Sequence, residues 1–139
     1  NGWGSFPDGK HKQHSHFRIG VAANTVGLGA DALYVGRTQL DAAFRNRFYF
    51  LAWEYDEELE MRLAGKDQAD WVQRVQKLRR AHLSLGKLAP RLVISPRASI
   101  NGAMLLRNNI VTDWNRLENT LVWQGCSEDD KKRVLKVVE

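Results

Sequence analysis

The chain has 139 residues, 43% hydrophobic and 27% charged, with a formal net charge of +5 and a pI near 9.6. That balance fits one ordinary globular domain or two small subdomains. It excludes a helical membrane span, because no apolar run approaches ~20 residues, and an intrachain disulfide, because Cys126 is the only cysteine.

In chain order, Gly2, Gly4, Pro7, Asp8 and Gly9 are turn formers. Phe6-Pro7-Asp8-Gly9 predicts a tight turn between two short extended pieces. Phe17, Ile19, Val21, Ala22 and Ala23 predict a short buried strand over His16–Ala23. Gly27, Gly29 and Gly36 mark the following stretch, Asn24–Gly36, as a loop. Thr38 is placed to cap a helix from about Gln39 to Asn46, with Leu40, Ala43 and Phe44 on one side. Phe48–Trp53 (FYFLAW) is aromatic and apolar throughout and predicts a second buried strand.

From Asp56 onward the pattern is helical. A first helix opens on Asp56-Glu57-Glu58, whose charges suit a helix N-terminus, and ends near Gly65. A longer one runs from about Gln68 to Leu85, with Trp71, Val75, Leu78, His82 and Leu85 on one face. Gly86 stops it, and Leu88–Ile94 is a connector. Ser95 and Pro96 open a third helix as cap and first residue; it carries Ile100, Met104 and Leu105 to about Asn108-Asn109. Thr112 to about Trp123 is the fourth, with Trp114, Leu117 and Leu121 inward. Ser127 caps the last, which carries Val134, Leu135 and Val138.

The positive charge is spread along the chain and permits an anionic partner without demanding one. Arg74, Lys77, Arg79 and Arg80 lie opposite the apolar stripe of the long helix, which reads as a solvated face. His11, His14 and His16 form H-x-x-H-x-H. With only Asp8 beside them, a polar strand or turn is the better reading, and no metal site is expected. Three of the five tryptophans sit on apolar helical faces or in the apolar strand and read as core rather than as base-stacking platforms. No Ser-His-Asp or Cys-His arrangement is supported, and no G-x-x-x-x-G-K-[ST] phosphate loop occurs. The chain opens at Asn1 without a Met or a visible signal peptide, and reads as a piece of a longer cytoplasmic protein.

Four pieces occur in a matching order: AANT at Ala22–Thr25, YVG at Tyr34–Gly36, LDAAFRNRF at Leu40–Phe48 and SPRA at Ser95–Ala98. Together they resemble the C-terminal half of an AAA+ ATPase module. The nearest branch is the one holding MoxR-like proteins, the cobaltochelatase ATPase subunit, midasin and dynein. The resemblance implies an α/β remnant over residues 1–55, the last strands of a P-loop NTPase core. A helical lid would follow over residues 56–139, making the chain mainly α overall.

It also implies roles. Asn24 matches sensor 1, whose neutral amide would hydrogen-bond the attacking water or the γ-phosphate; read from its residues alone, it caps a strand-to-loop turn. Arg47 matches the arginine finger, which acts on the neighbouring subunit's ATP, with Arg45 as the alternative. Arg37 is a weaker candidate for a subunit contact. Arg97 matches sensor 2 at the start of a lid helix. The Walker motifs that hold ATP and Mg²⁺ are absent, so the chain alone is expected to be inactive. The implied partners are neighbouring AAA+ subunits, in a hexameric ring of the intact protein, and a client protein. No membrane is implied. The reading from another class is a non-catalytic module binding protein or nucleic acid through its basic helices, the nucleic acid not being favoured. Two apolar strands without their sheet neighbours would present open edges and invite association.

Overall fold

A computed structural model describes residues 2–23, 27–30 and 36–138. Among them the chain is mainly helical. Near the start, β1 (Trp3–Phe6) and β2 (Gly9–Lys12) pair antiparallel, with Trp3 opposite Lys12 and Phe6 opposite Gly9. Pro7 and Asp8 make the expected tight turn. Gly9 follows at φ +136°, a conformation that side chains rarely adopt.

The two strands expected over His16–Ala23 and Phe48–Trp53 do not form. Both stretches lie largely open to solvent: Val21 is 69% exposed, Tyr49 89% and Trp53 90%. The physical reason is pairing. An isolated strand leaves its backbone groups unpaired and its apolar face uncovered, so it gains nothing until a neighbour joins it. The helix expected from Gln39 to Asn46 shrinks to one turn, α1 (Ala42–Arg45). Its cap is Asp41 rather than Thr38, the Asp41 carboxylate accepting from the backbone N–H groups of Ala43 and Phe44.

The remaining elements build one core. They are α2 (Glu57–Ala64), α3 (Ala69–Ser84), α4 (Pro96–Arg107), α5 (Trp114–Leu121) and α6 (Glu128–Val138). Asp56 caps α2 by accepting from Leu59 N–H at 2.8 Å. Gly65 ends it at φ +92°, and one 3-10 turn, Lys66–Gln68, leads into α3. Asp113 caps α5, its carboxylate accepting from Asn115 N–H, so the helix starts two residues after Thr112. Ser127 Oγ accepts from Asp130 N–H at the start of α6.

Trp71, Val72, Val75 and Leu78 of α3 are fully buried at the centre, joined by Ile94, Ala98, Ala103, Leu117, Val122 and Val134. Every hydrophobic residue of this buried core lies at Ala64 or beyond.

On α4 the inward face differs from the one expected. Met104 is 48% exposed, while Ala98, Ser99, Gly102 and Ala103 are buried. The Trp71 indole explains this: it lies so close to Gly102 that a Cβ there would overlap the ring. Only small residues let the two helices approach this closely. Trp114, also expected inward, is 40% exposed and meets Trp71 edge-on, ring centroids 5.7 Å apart.

Candidate nucleotide-responsive site

The site is built around the first turn of α4. Ser95 enters the helix with an extended backbone and Pro96 occupies its first turn, where a missing N–H does no harm. Ser95 itself makes no side-chain capping bond. Arg97 follows and is exposed. The residues on either side of it are not free.

Three buried side chains hold them. Arg79 of α3 donates from Nε to the Ile94 carbonyl at 2.7 Å. Its two terminal nitrogens form a bidentate pair with the Glu60 carboxylate of α2, both at 2.7 Å. Ser99 Oγ of α4 donates to Glu60 Oε1. Trp71 Nε1 of α3 donates to the Ala98 and Ser99 carbonyls, each at 3.2 Å. Arg79 and Glu60 expose only 2% and 1% of their side chains, and Tyr55 lays its ring over the guanidinium at 4.5 Å. Gln76 bridges from its amide to the Glu57 carbonyl at 3.0 Å.

Burial pushes the Glu60 carboxyl up. Hydrogen bonds from Arg79, Ser99 and Gln76, with the Arg79 charge, more than offset this and leave it below the ordinary carboxylate range. Glu60 therefore stays ionised at neutral pH, and each guanidinium nitrogen of Arg79 has a hydrogen-bond partner.

Arg79 was expected on a solvated face, and the structure corrects this. It sits four residues after Val75 and three before His82, so it borders the apolar stripe rather than opposing it. Arg74 pairs with Glu118 at 2.6 Å and Arg80 with Glu57 at 2.5 Å. Three of the four cations in that run are thus engaged by carboxylates.

The other candidates lie in the first part of the chain. Asn24 lies outside the described residues. Arg45 ends α1 and folds back over the Gly27 loop: its Cδ lies 3.2 Å from where a Gly27 Cβ would stand. Its Nε is buried and has no hydrogen-bond partner among the described residues. The loop is fixed there by Leu40 N–H donating to the Gly27 carbonyl at 3.0 Å. Arg47, two residues on, is exposed, as is Arg37. Among the described residues no hydrogen bond or ion pair joins Arg45 or Arg47 to the start of α4.

The histidines engage locally. His11 lies 3.2 Å from Asp8, and His14 Nδ1 accepts from His16 N–H at 3.1 Å. No three His, Cys, Asp or Glu side chains converge on a metal-sized site among the described residues. Among the described residues no helix is long and apolar enough to cross a membrane. A shallow groove of about 260 Å³ between α3 and α6 is lined by Lys77, Arg80, Ala81, Ser84, Val137 and Val138.

Comparison with family models, with curated proteins and with solved structures gave no match.

Proposed function

We propose that this chain is the sensor and lid half of an AAA+ ATPase subunit. Residues 1–55 would be the last part of its α/β core and residues 56–139 its lid. The observation that carries the reading is the start of α4. There an exposed arginine stands on the first turn of a 12-residue helix, with its neighbours pinned by buried groups. A guanidinium at that place adds its charge to the positive end of the helix dipole, and both favour a phosphate.

In this mechanism Arg97 meets a nucleotide phosphate and carries the lid with it. Arg47 reaches the γ-phosphate in the neighbouring subunit, where a permanent, forked charge offsets what develops during transfer. The exposure of Arg47 and the folded-back Arg45 favour Arg47 for this role. Asn24 would orient the attacking water through its amide. ATP and Mg²⁺ would be held by Walker residues that this sequence does not contain, so the isolated chain would be inactive. The whole subunit would work in a cytoplasmic hexameric ring and use ATP to remodel a client protein.

The test is steady-state MgATP turnover by the full-length gene product that contains this chain. Arg47→Ala should lower turnover about 10³-fold, the usual scale for a lost arginine finger, and Arg97→Ala should lower it as well. Turnover that ignores both substitutions would sink the proposal.

A further inference from the structure

The three buried anchors of α4 meet it on both sides of Arg97. Ile94 is three residues before it and is held by Arg79. Ala98 and Ser99 are one and two residues after it; their carbonyls are held by Trp71, and the Ser99 hydroxyl by Glu60. Arg97 itself stays exposed between them.

Stability alone is a poor explanation for a buried ion pair here. Well-packed apolar residues of similar volume often stabilise as much or more. What an ionic network adds is direction. A bidentate guanidinium–carboxylate pair tolerates little rotation, and its third donor fixes a particular carbonyl.

We propose that Glu60 and Arg79 are positioning residues for Arg97: they set the place and direction of the first turn of α4 against α2 and α3. This rests on the reading of Arg97 as the phosphate-sensing residue. Tyr55 extends the device, because its ring covers the Arg79 guanidinium from the stretch that leads into α2. The start of α4 is thereby tied to the end of the preceding segment through one buried side chain. A shift of that segment would reach Arg97 without any loop having to reorder.

The experiment measures distances by electron spin resonance in the 139-residue chain with Cys126→Ser. One label pair replaces Arg97 and Lys132, both exposed; a control pair replaces Met104 and Lys132, also exposed. The clamp is removed by Glu60→Leu, Arg79→Met and Ser99→Ala together. The expected result is a folded variant whose 97–132 distribution broadens about twofold, since the directional network is gone, while the 104–132 distribution keeps its width. A folded variant with an unchanged 97–132 width would overturn the proposal. So would equal broadening of both pairs, which would mean support of the fold alone.

Should the triple variant not fold, Arg79→Lys keeps the charge and removes the fork. It should give the same selective broadening, and an unchanged width there would equally overturn the proposal. The readout needs no nucleotide. ATP turnover in the full-length protein that ignores Arg97→Ala would defeat the phosphate-sensing reading separately, whatever the distances show.

Discussion

The two parts of this chain hold similar proportions of apolar residues and use them in opposite ways. Before Asp56, Phe17, Ile19, Val21, Tyr49, Leu51 and Trp53 are all 48% or more exposed. After it, Trp71, Val72, Val75, Leu78 and Val134 are closed to solvent. The difference is the range over which each element finds its partners. A helix satisfies its own backbone and needs only a neighbouring face, and five helices supply those to one another. A strand has no backbone hydrogen bonds of its own and must make them with another strand. The first part offers β1 and β2 to each other and nothing described to His16–Ala23 or Phe48–Trp53.

The sharpest way to break this comparison is to remove one partner of the buried ion pair. Arg79→Ala or Glu60→Ala leaves an uncompensated buried charge and should cost about 3–5 kcal/mol in urea unfolding. Trp53→Ala, at 90% exposed, should stay within about 0.5 kcal/mol in the isolated chain. Equal effects from the two substitutions would erase the distinction between the regions.

Packing comes next. Gly102→Ala places a methyl group into the Trp71 indole and should cost about 1–3 kcal/mol. Thermal unfolding followed by near-ultraviolet circular dichroism reports it through Trp71. A neutral result would mean that α3 and α4 do not approach as described.

Acid separates the regions as well. The folded carboxyl of Glu60 titrates below its unfolded value, so its contribution is fully present above the ordinary glutamate pKa of about 4.3. It is lost as pH falls from there through the folded pKa. Urea midpoints should therefore decline with acid below about pH 4.3, and the decline should be smaller in the Glu60→Leu, Arg79→Met, Ser99→Ala chain. An identical decline in both would assign the acid sensitivity elsewhere.

The smallest expected effects concern caps. Asp56→Ala removes the acceptor at the start of α2 and should cost about 1 kcal/mol. Asp41→Ala removes the same kind of bond from the single exposed turn of α1. It should leave the global unfolding midpoint in place, because that turn carries no buried residue.

Much of the second part was legible in the sequence. The stripe Trp71, Val75, Leu78 and His82, the Asp56 start, the Gly65 and Gly86 stops and the Ser95-Pro96 opening all act within a few residues of themselves. What was not legible depends on distant neighbours. Arg79 lies at the edge of its own helix's apolar stripe, and that spacing was the available signal, but only Glu60 of α2 makes burial affordable. Gly102 matters only because the Trp71 indole of another helix lies against it. FYFLAW carried the strongest strand signal in the chain and forms no strand, because strand propensity states what a segment would do beside a partner. Of the candidate site, Arg97 and its helix start were readable from SPRA, whereas the anchors on both sides of it were not.

The measurement that bears most directly on this contrast is amide hydrogen exchange on the 139-residue chain alone and within the full-length protein with MgATP. Residues 57–138 should be protected in both. Residues 16–23 and 48–53 should exchange freely in the isolated chain and become protected only in the full-length protein, where the proposed core supplies their strand partners. Protection of those two stretches in the isolated monomer, or free exchange in the full-length protein, would contradict the picture of a folded lid joined to core strands that await their sheet.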